Sequence, residues 1–140
     1  MSRFLRFALV GAAGFLVDAG TLMLLLAATP AGLYAGRLGS FLAAVTFTWA
    51  ANRRYTFGAG RRSARGLVAE WSRFVAVNAL GGGVNLGVYT LLVSTSALFA
   101  ARPWLAVAVG SVAGLAVNFA GSSRLVFRDP AASTAQNRLS

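Results

Sequence analysis

Four runs of about 20 apolar residues, separated by short polar or basic stretches, limit what this chain can become. A helix crossing a ~30 Å hydrocarbon core needs roughly 20 mostly apolar residues. The first run is Phe7 to Ala28, interrupted only by Asp18. The second is about Leu33 to Ala51, with Arg37 near its start. The third is Phe74 to Val93, and the fourth about Trp104 to Gly121. Pro30 and Pro103 lie in the connections before the second and fourth runs, where a missing backbone N–H does little harm. A cleavable signal peptide is the rival reading of the first run. The run is longer than the ~7–15 residues of a signal h-region, and further apolar runs follow.

Composition agrees with a bilayer as solvent. Of the 140 residues, 57% are hydrophobic and 11% charged, and the mean hydropathy is +0.68. A soluble domain of this size keeps too much of its surface in water to hide that much apolar area. Cysteine and histidine are absent, which removes disulfides, thiolate metal sites and the commonest general base. The only acids are Asp18, Glu70 and Asp129, so chemistry built on paired carboxylates has little to use. The expectation is a protein that is not an enzyme and needs no cofactor.

Charge placement gives orientation. Net charge is +10, and all 13 basic residues are arginine. They sit at the ends of apolar runs rather than on one face of a folded domain, which favours anionic lipid or phosphate head groups over nucleic acid. Arg3 and Arg6 precede the first run. Arg53, Arg54, Arg61, Arg62, Arg65 and Arg73 fill the centre, and Arg124, Arg128 and Arg138 follow the fourth run. The two remaining connections hold only Arg102, with Arg37 just inside the second run. Excess arginine marks the cytoplasmic side. Both termini and the central loop are therefore expected in the cytoplasm, with the spans in the inner (cytoplasmic) membrane. Trp49, Tyr55, Phe57, Trp71 and Phe127 would mark the inner interface, and Tyr34 and Trp104 the outer one.

The chain also repeats itself. At an offset of 67 positions, Arg6-Phe7 matches Arg73-Phe74, and Val10, Gly14, Val17 and Gly20 match Val77, Gly81, Val84 and Gly87. Asp18 falls on Asn85. At the far ends Arg54-Tyr55-Thr56-Phe57 matches Arg124-Leu125-Val126-Phe127, now offset by 70, so the second copy has three extra residues in its outer connection. A two-span unit returns to its starting side, which makes the copies parallel. The predicted fold is all-α integral membrane: four transmembrane helices as two parallel two-helix repeats, about 6–57 and 73–127, in one domain over 1–128. A disordered cytoplasmic tail is expected over 129–140.

Arg6-Phe7-x-x-Val10-Gly11, mid-span Asp18, Asn52-Arg53-Arg54-Tyr55-Thr56-Phe57, Arg73-Phe74 and the stretch Asn118 to Phe127 together resemble the GtrA-like family. The resemblance covers residues 3–128. It implies a small four-span protein of cell-envelope polysaccharide synthesis, as in O-antigen glucosylation or teichoic-acid glycosylation. A similar segment forms the membrane domain of some dolichol-phosphate-mannose synthases. It further implies work on polyprenyl-phosphate-linked sugars such as those on undecaprenyl phosphate, by flipping or presenting them, and a membrane glycosyltransferase as partner.

The residues themselves offer candidate sites. Asp18 lies 11 residues into the first run, about 16 Å deep at ~1.5 Å per residue, where an ionisable group is costly unless paired, protonated or hydrated. Gly11, Gly14 and Asp18 share a helix face, and so do Asn78, Gly81 and Asn85. The two faces are expected to meet or to line one cavity. Asp18 then serves either as interhelical glue, with Asn85 or Arg37, or in a substrate or proton role. Thr48 and Asn52, and Asn118 and Ser122, are i, i+4 pairs near the cytoplasmic ends. With Arg54 and Arg124, and with Arg6 and Arg73 opening each repeat, they either form a pocket for a carrier-lipid phosphate or simply set topology. Arg37 is expected to snorkel outward.

Small residues at four-residue spacing, Gly32-Gly36-Ser40-Ala44, Gly83-Gly87 and Ala106-Gly110-Gly114, read as close packing within the bundle or between copies in a homo-oligomer. The central stretch Gly58 to Ser72 reads as a membrane-surface segment with a short amphipathic helix near Leu67 to Phe74. Three functions remain open at this point. They are handling of a lipid-linked sugar, anchoring of a glycosyltransferase, and proton-coupled export in the manner of small multidrug transporters.

Overall fold

The computed structural model describes residues 1–30 and 32–127, and of residues 32–34 and Arg37 the backbone alone. The expectations for Tyr34, the Arg37 side chain, Arg128, Arg138 and the tail 129–140 lie outside the described residues. All regular structure among the described residues is helical. Five α-helices follow one another among the described residues: α1 (Arg3–Ala28), α2 (Gly32–Ala51), α3 (Ala64–Thr95), α4 (Ala97–Ala101) and α5 (Pro103–Gly121). α2 and α5 each run on into one π-helical turn, Asn52–Thr56 and Ser122–Val126.

Among the described residues three helical stretches are long and apolar enough to cross a membrane: Arg3–Ala28, Ala64–Thr95 and Pro103–Val126. α2 has 20 residues, but Arg37, Ser40, Thr46 and Thr48 dilute its apolar character. Within α1 only Phe7 and Gly14 are buried, while Phe15, Leu16, Met23 and Leu24 stand 66–72% exposed. An apolar helix this bare has no protein core of its own, which is the signature of side chains meant for lipid.

The chain folds as two compact units, Met1–Trp71 and Ser72 onward. In the first unit, Ser2 caps α1, its Oγ accepting from the Leu5 N–H at 3.2 Å. Thr29 closes the helix, its N–H and hydroxyl both donating to the Leu25 carbonyl. The chain then returns as α2, antiparallel to α1. Gly36 lies against Leu22 and Leu26, Gly39 against Leu25, and Gly14 against the Thr48 methyl. At the far end the Phe7 and Phe57 rings meet edge to face, 6.1 Å apart.

In the second unit α3 pairs with α5, again antiparallel. Gly121 lies against Val77, Gly114 against the Gly81 carbonyl, and Gly110 against the backbone and side chain of Asn85. The Phe74 and Phe127 rings sit 5.9 Å apart. Of the small-residue rows, Ala106-Gly110-Gly114 is buried in this pairing, whereas Gly83 and Gly87 face open space. The outer connection is helical: five-residue α4 precedes Arg102, and Pro103 opens α5 at a position that needs no N–H donor.

The central stretch differs from expectation. Leu67 to Phe74 is not a separate surface helix but part of α3, which starts at Ala64 and runs 32 residues. The Ser63 Oγ accepts from the Gly66 N–H at 3.3 Å, starting the helix ten residues before the apolar run. At ~1.5 Å per residue α3 is about 48 Å long, well beyond a ~30 Å hydrocarbon core.

Candidate functional site

The first π turn sets the scene. The Phe57 N–H bonds to the Asn52 carbonyl, five residues back, at 2.9 Å. One extra residue per turn swings the following side chains out of the α-helical register, and such turns gather at functional sites. Gly58, with φ +58°, takes the left-handed conformation that ends the helix, and the Ala59 N–H returns to the Arg53 carbonyl at 3.0 Å. Inside the turn the Thr56 hydroxyl donates to the buried Asn52 Oδ1 at 2.8 Å.

Glu70, from the second turn of α3, is fully buried beside this turn. Its Oε1 accepts from the Trp49 Nε1–H at 3.1 Å and faces Arg53 Nε at 3.5 Å. Its Oε2 meets Arg62 Nε at 2.8 Å. Arg53 does more than pair with the acid: its Nη1 and Nη2 donate to the carbonyls of Ala59 and Gly60. One carboxylate and two guanidiniums thus staple the loop after α2 to the start of α3. A neighbouring bond ties α3 to α2 itself, Trp71 Nε1–H donating to the Thr46 hydroxyl at 3.1 Å. Burying a carboxylate is costly unless it is paired and hydrogen-bonded; here each oxygen faces an arginine, and Oε1 accepts the indole N–H besides.

Beside the staple opens a cavity of about 480 Å³. Trp49, Ala50 and Leu67 supply an apolar wall, Arg53 and Arg54 a cationic edge, and Gly58 and Ala59 the turn between. Arg54 is exposed, its guanidinium 5.7 Å from the Tyr55 ring centre.

The other sequence candidates fall in both units. Asp18 is half-buried on α1 and engaged. Arg6 is half-buried, and its Nη1 donates to the Tyr55 carbonyl at 3.0 Å, covering the exposed end of the π turn. In the second unit, Asn85 Nδ2–H reaches the Ser111 hydroxyl at 3.5 Å. Asn118 presses its Oδ1 against Gly81, as Thr48 presses its methyl on Gly14. Asn118 Oδ1 and Ser122 Oγ are buried with no hydrogen-bond partner among the described residues. Arg73 and Arg124 are exposed. Asn52, Arg54 and Arg6 therefore gather at one π turn, and Asn85 and Asn118 both meet the α3–α5 seam.

Sequence reasoning treated Glu70 only as one acid of three, Arg62 only as a positive-inside charge, and Arg53 as that and as part of the motif shared with the family. The signal for the staple was present: Glu70 is the single acid among six arginines between positions 53 and 73. A lone acid in so basic a stretch is a natural counter-ion.

Long, lipid-facing helices whose polar ends gather arginines around one buried carboxylate define an integral membrane protein with a basic interfacial rim. The family model for the GtrA/DPMS transmembrane domain matches residues 6–127, and the chain belongs to that family. The membership makes it a membrane protein of glycan synthesis. No curated protein is similar enough to be matched with it.

Proposed function

We propose that this protein flips or presents polyprenyl-phosphate-linked sugars for cell-envelope polysaccharide synthesis. The carrying observation is the family match over residues 6–127, joined to a cationic, half-apolar cavity at the end of an apolar helix pair. An amphiphilic carrier would leave its chain in lipid and bring its phosphate to arginine, which binds phosphate through paired donors. No catalytic chemistry of its own is assigned. The flow of substrate would follow its gradient or its consumption by a partner glycosyltransferase.

In this reading α2 is the fourth span, and the spans form two parallel repeats in the inner (cytoplasmic) membrane with both termini in the cytoplasm. Supporting the duplication, the same contacts recur inside each unit. Gly14–Thr48 corresponds to Gly81–Asn118, Phe7–Phe57 to Phe74–Phe127, and each second helix ends in a π turn. Each unit also sets polar groups into its apolar helices, Asp18 and Asn52 in the first and Asn85 and Asn118 in the second.

A second reading, a non-transporting anchor for a glycosyltransferase, draws on the stapled basic loop, where Arg61 and Arg65 are exposed. Liposome reconstitution separates the two. Purified protein should speed the transbilayer movement of a labelled polyprenyl-phosphate sugar over protein-free vesicles. An unchanged rate would sink the flipping reading and leave the anchor.

A further inference from the structure

The cavity beside the first π turn has three properties that together specify a ligand. Its volume, about 480 Å³, exceeds what one ordered water needs and suits a small head group. Its walls divide by chemistry, with Trp49, Ala50 and Leu67 on the apolar side and Arg53 and Arg54 on the other. Its electrostatics are positive. Glu70 cancels only one of the two guanidiniums it pairs with, leaving a surplus, and Arg54 adds another. A helix C-terminus ordinarily repels anions through its free carbonyls. Here the guanidinium of Arg6 covers the Tyr55 carbonyl and that of Arg53 covers Ala59 and Gly60. Of the helix-end carbonyls, those of Asn52, Arg53 and Tyr55 are thus already bonded, to the N–H groups of Phe57 and Ala59 and to Arg6.

The two arginines divide the labour. Arg53 is held by the carboxylate and two carbonyls, so each of its three nitrogens is engaged in shaping the cavity. Arg54 is exposed, and its only described contact is the face of Tyr55. We infer that this cavity is a phosphate subsite of the first unit, with Arg54 as the residue that binds the phosphate and the Trp49–Leu67 wall taking the first apolar atoms of its ester. The inference rests on the reading that the protein handles phosphate-bearing carriers, and it assigns that phosphate a place. A phosphorylated lipid and free phosphate share the chemistry, and the apolar wall favours the lipid.

The test uses the full chain in nanodiscs, with Trp71→Phe and Trp104→Phe so that Trp49 is the sole tryptophan reporter. Geranylgeranyl phosphate, geranylgeraniol and inorganic phosphate are titrated against Trp49 emission. Geranylgeranyl phosphate should change the emission saturably, and the uncharged alcohol should not. Inorganic phosphate changing it at equal concentration would assign the site to the free ion. A weaker response, at higher concentration, would assign it to the lipid ester.

Arg54→Gln should weaken binding by about tenfold or more, Arg54→Lys less, and Arg65→Gln, which removes an equal charge outside the cavity, should leave it within about twofold. Equal binding of phosphate and alcohol, or an affinity indifferent to Arg54→Gln, overturns the subsite. The outcomes stay separable from those of the functional reading. Binding that ignores Arg54 removes the site and leaves transport open, whereas a saturable, Arg54-dependent site in a protein inert in liposomes removes transport and keeps the site.

Discussion

Glu70 shows how one side chain can decide the geometry of a loop. It is fully buried, while the side chains of Arg53 and Arg62 keep 14% and 27% exposure. Removing a buried partner usually costs more than the pair contributes, because a charge is left stranded. Here the two arginines can turn to water, which softens the penalty. Glu70→Ala should therefore lower stability by about 1–3 kcal/mol, measured as thermal unfolding in detergent. Glu70→Gln should cost less, since an amide oxygen can still accept from Trp49 Nε1–H. Ser122 makes the opposite case. Its hydroxyl is buried with no partner among the described residues, so it carries a desolvation cost without a bond. Ser122→Ala should be neutral or stabilising by up to about 1 kcal/mol on the same assay. A clear loss of stability would mean that the hydroxyl is bonded in the membrane.

At the scale of elements, the two antiparallel seams rest on small residues, and not every small residue serves one. A Cβ on Gly110 would lie 2.7 Å from the Asn85 carbonyl oxygen, and one on Gly114 2.7 Å from that of Gly81. Both obstacles are backbone, which cannot swing aside. Gly110→Ala and Gly114→Ala should each destabilise by about 1–3 kcal/mol. Gly83→Ala and Gly87→Ala, with nothing within 4 Å, should stay within about 0.5 kcal/mol. A loss at Gly83 or Gly87 comparable to that at Gly110 would point to a further copy of the chain packed on that face. The sequence alone ranked these rows together, because four-residue spacing marks a helix face without naming its neighbour. The same limit hid the staple. Trp49, Arg53, Arg62 and Glu70 share no single helical period and meet only once the loop after α2 has turned back. The helices themselves were legible, since α1, α2 and α5 begin and end within a few residues of the apolar runs. The start of α3 was legible only in part: the stretch from Leu67 reads as a short amphipathic helix, but Glu70, Ser72 and Arg73 separate it from the apolar run, and its support comes from that same closure. The π turns were invisible, for a hydrogen bond five residues back leaves no mark on apolar spacing.

For the whole molecule, the proposed topology is open to direct measurement. The chain has no cysteine, so single cysteines can be placed in an otherwise unreactive background. Ser2→Cys and Ser63→Cys should react with a membrane-impermeant maleimide only from the cytoplasmic side, and Ser96→Cys only from the other. Labelling of Ser2→Cys and Ser63→Cys from opposite sides would overturn α2 as a span. Salt offers a further check at this scale. With 13 arginines against three acids, binding to anionic vesicles of a phosphorylated carrier should weaken as ionic strength rises and the ~10 Å screening length at 0.1 M shortens.

The grip of Arg53 on Ala59 and Gly60 goes through main-chain oxygens, which every amino acid provides. Mutational scanning should therefore find those two positions permissive to most replacements, while Arg53 and the acid behind it tolerate few. Gly58, with its left-handed backbone, should be the intolerant point between them. The hairpin's shape would then be inherited through three fixed letters, leaving its outer surface free to be rewritten.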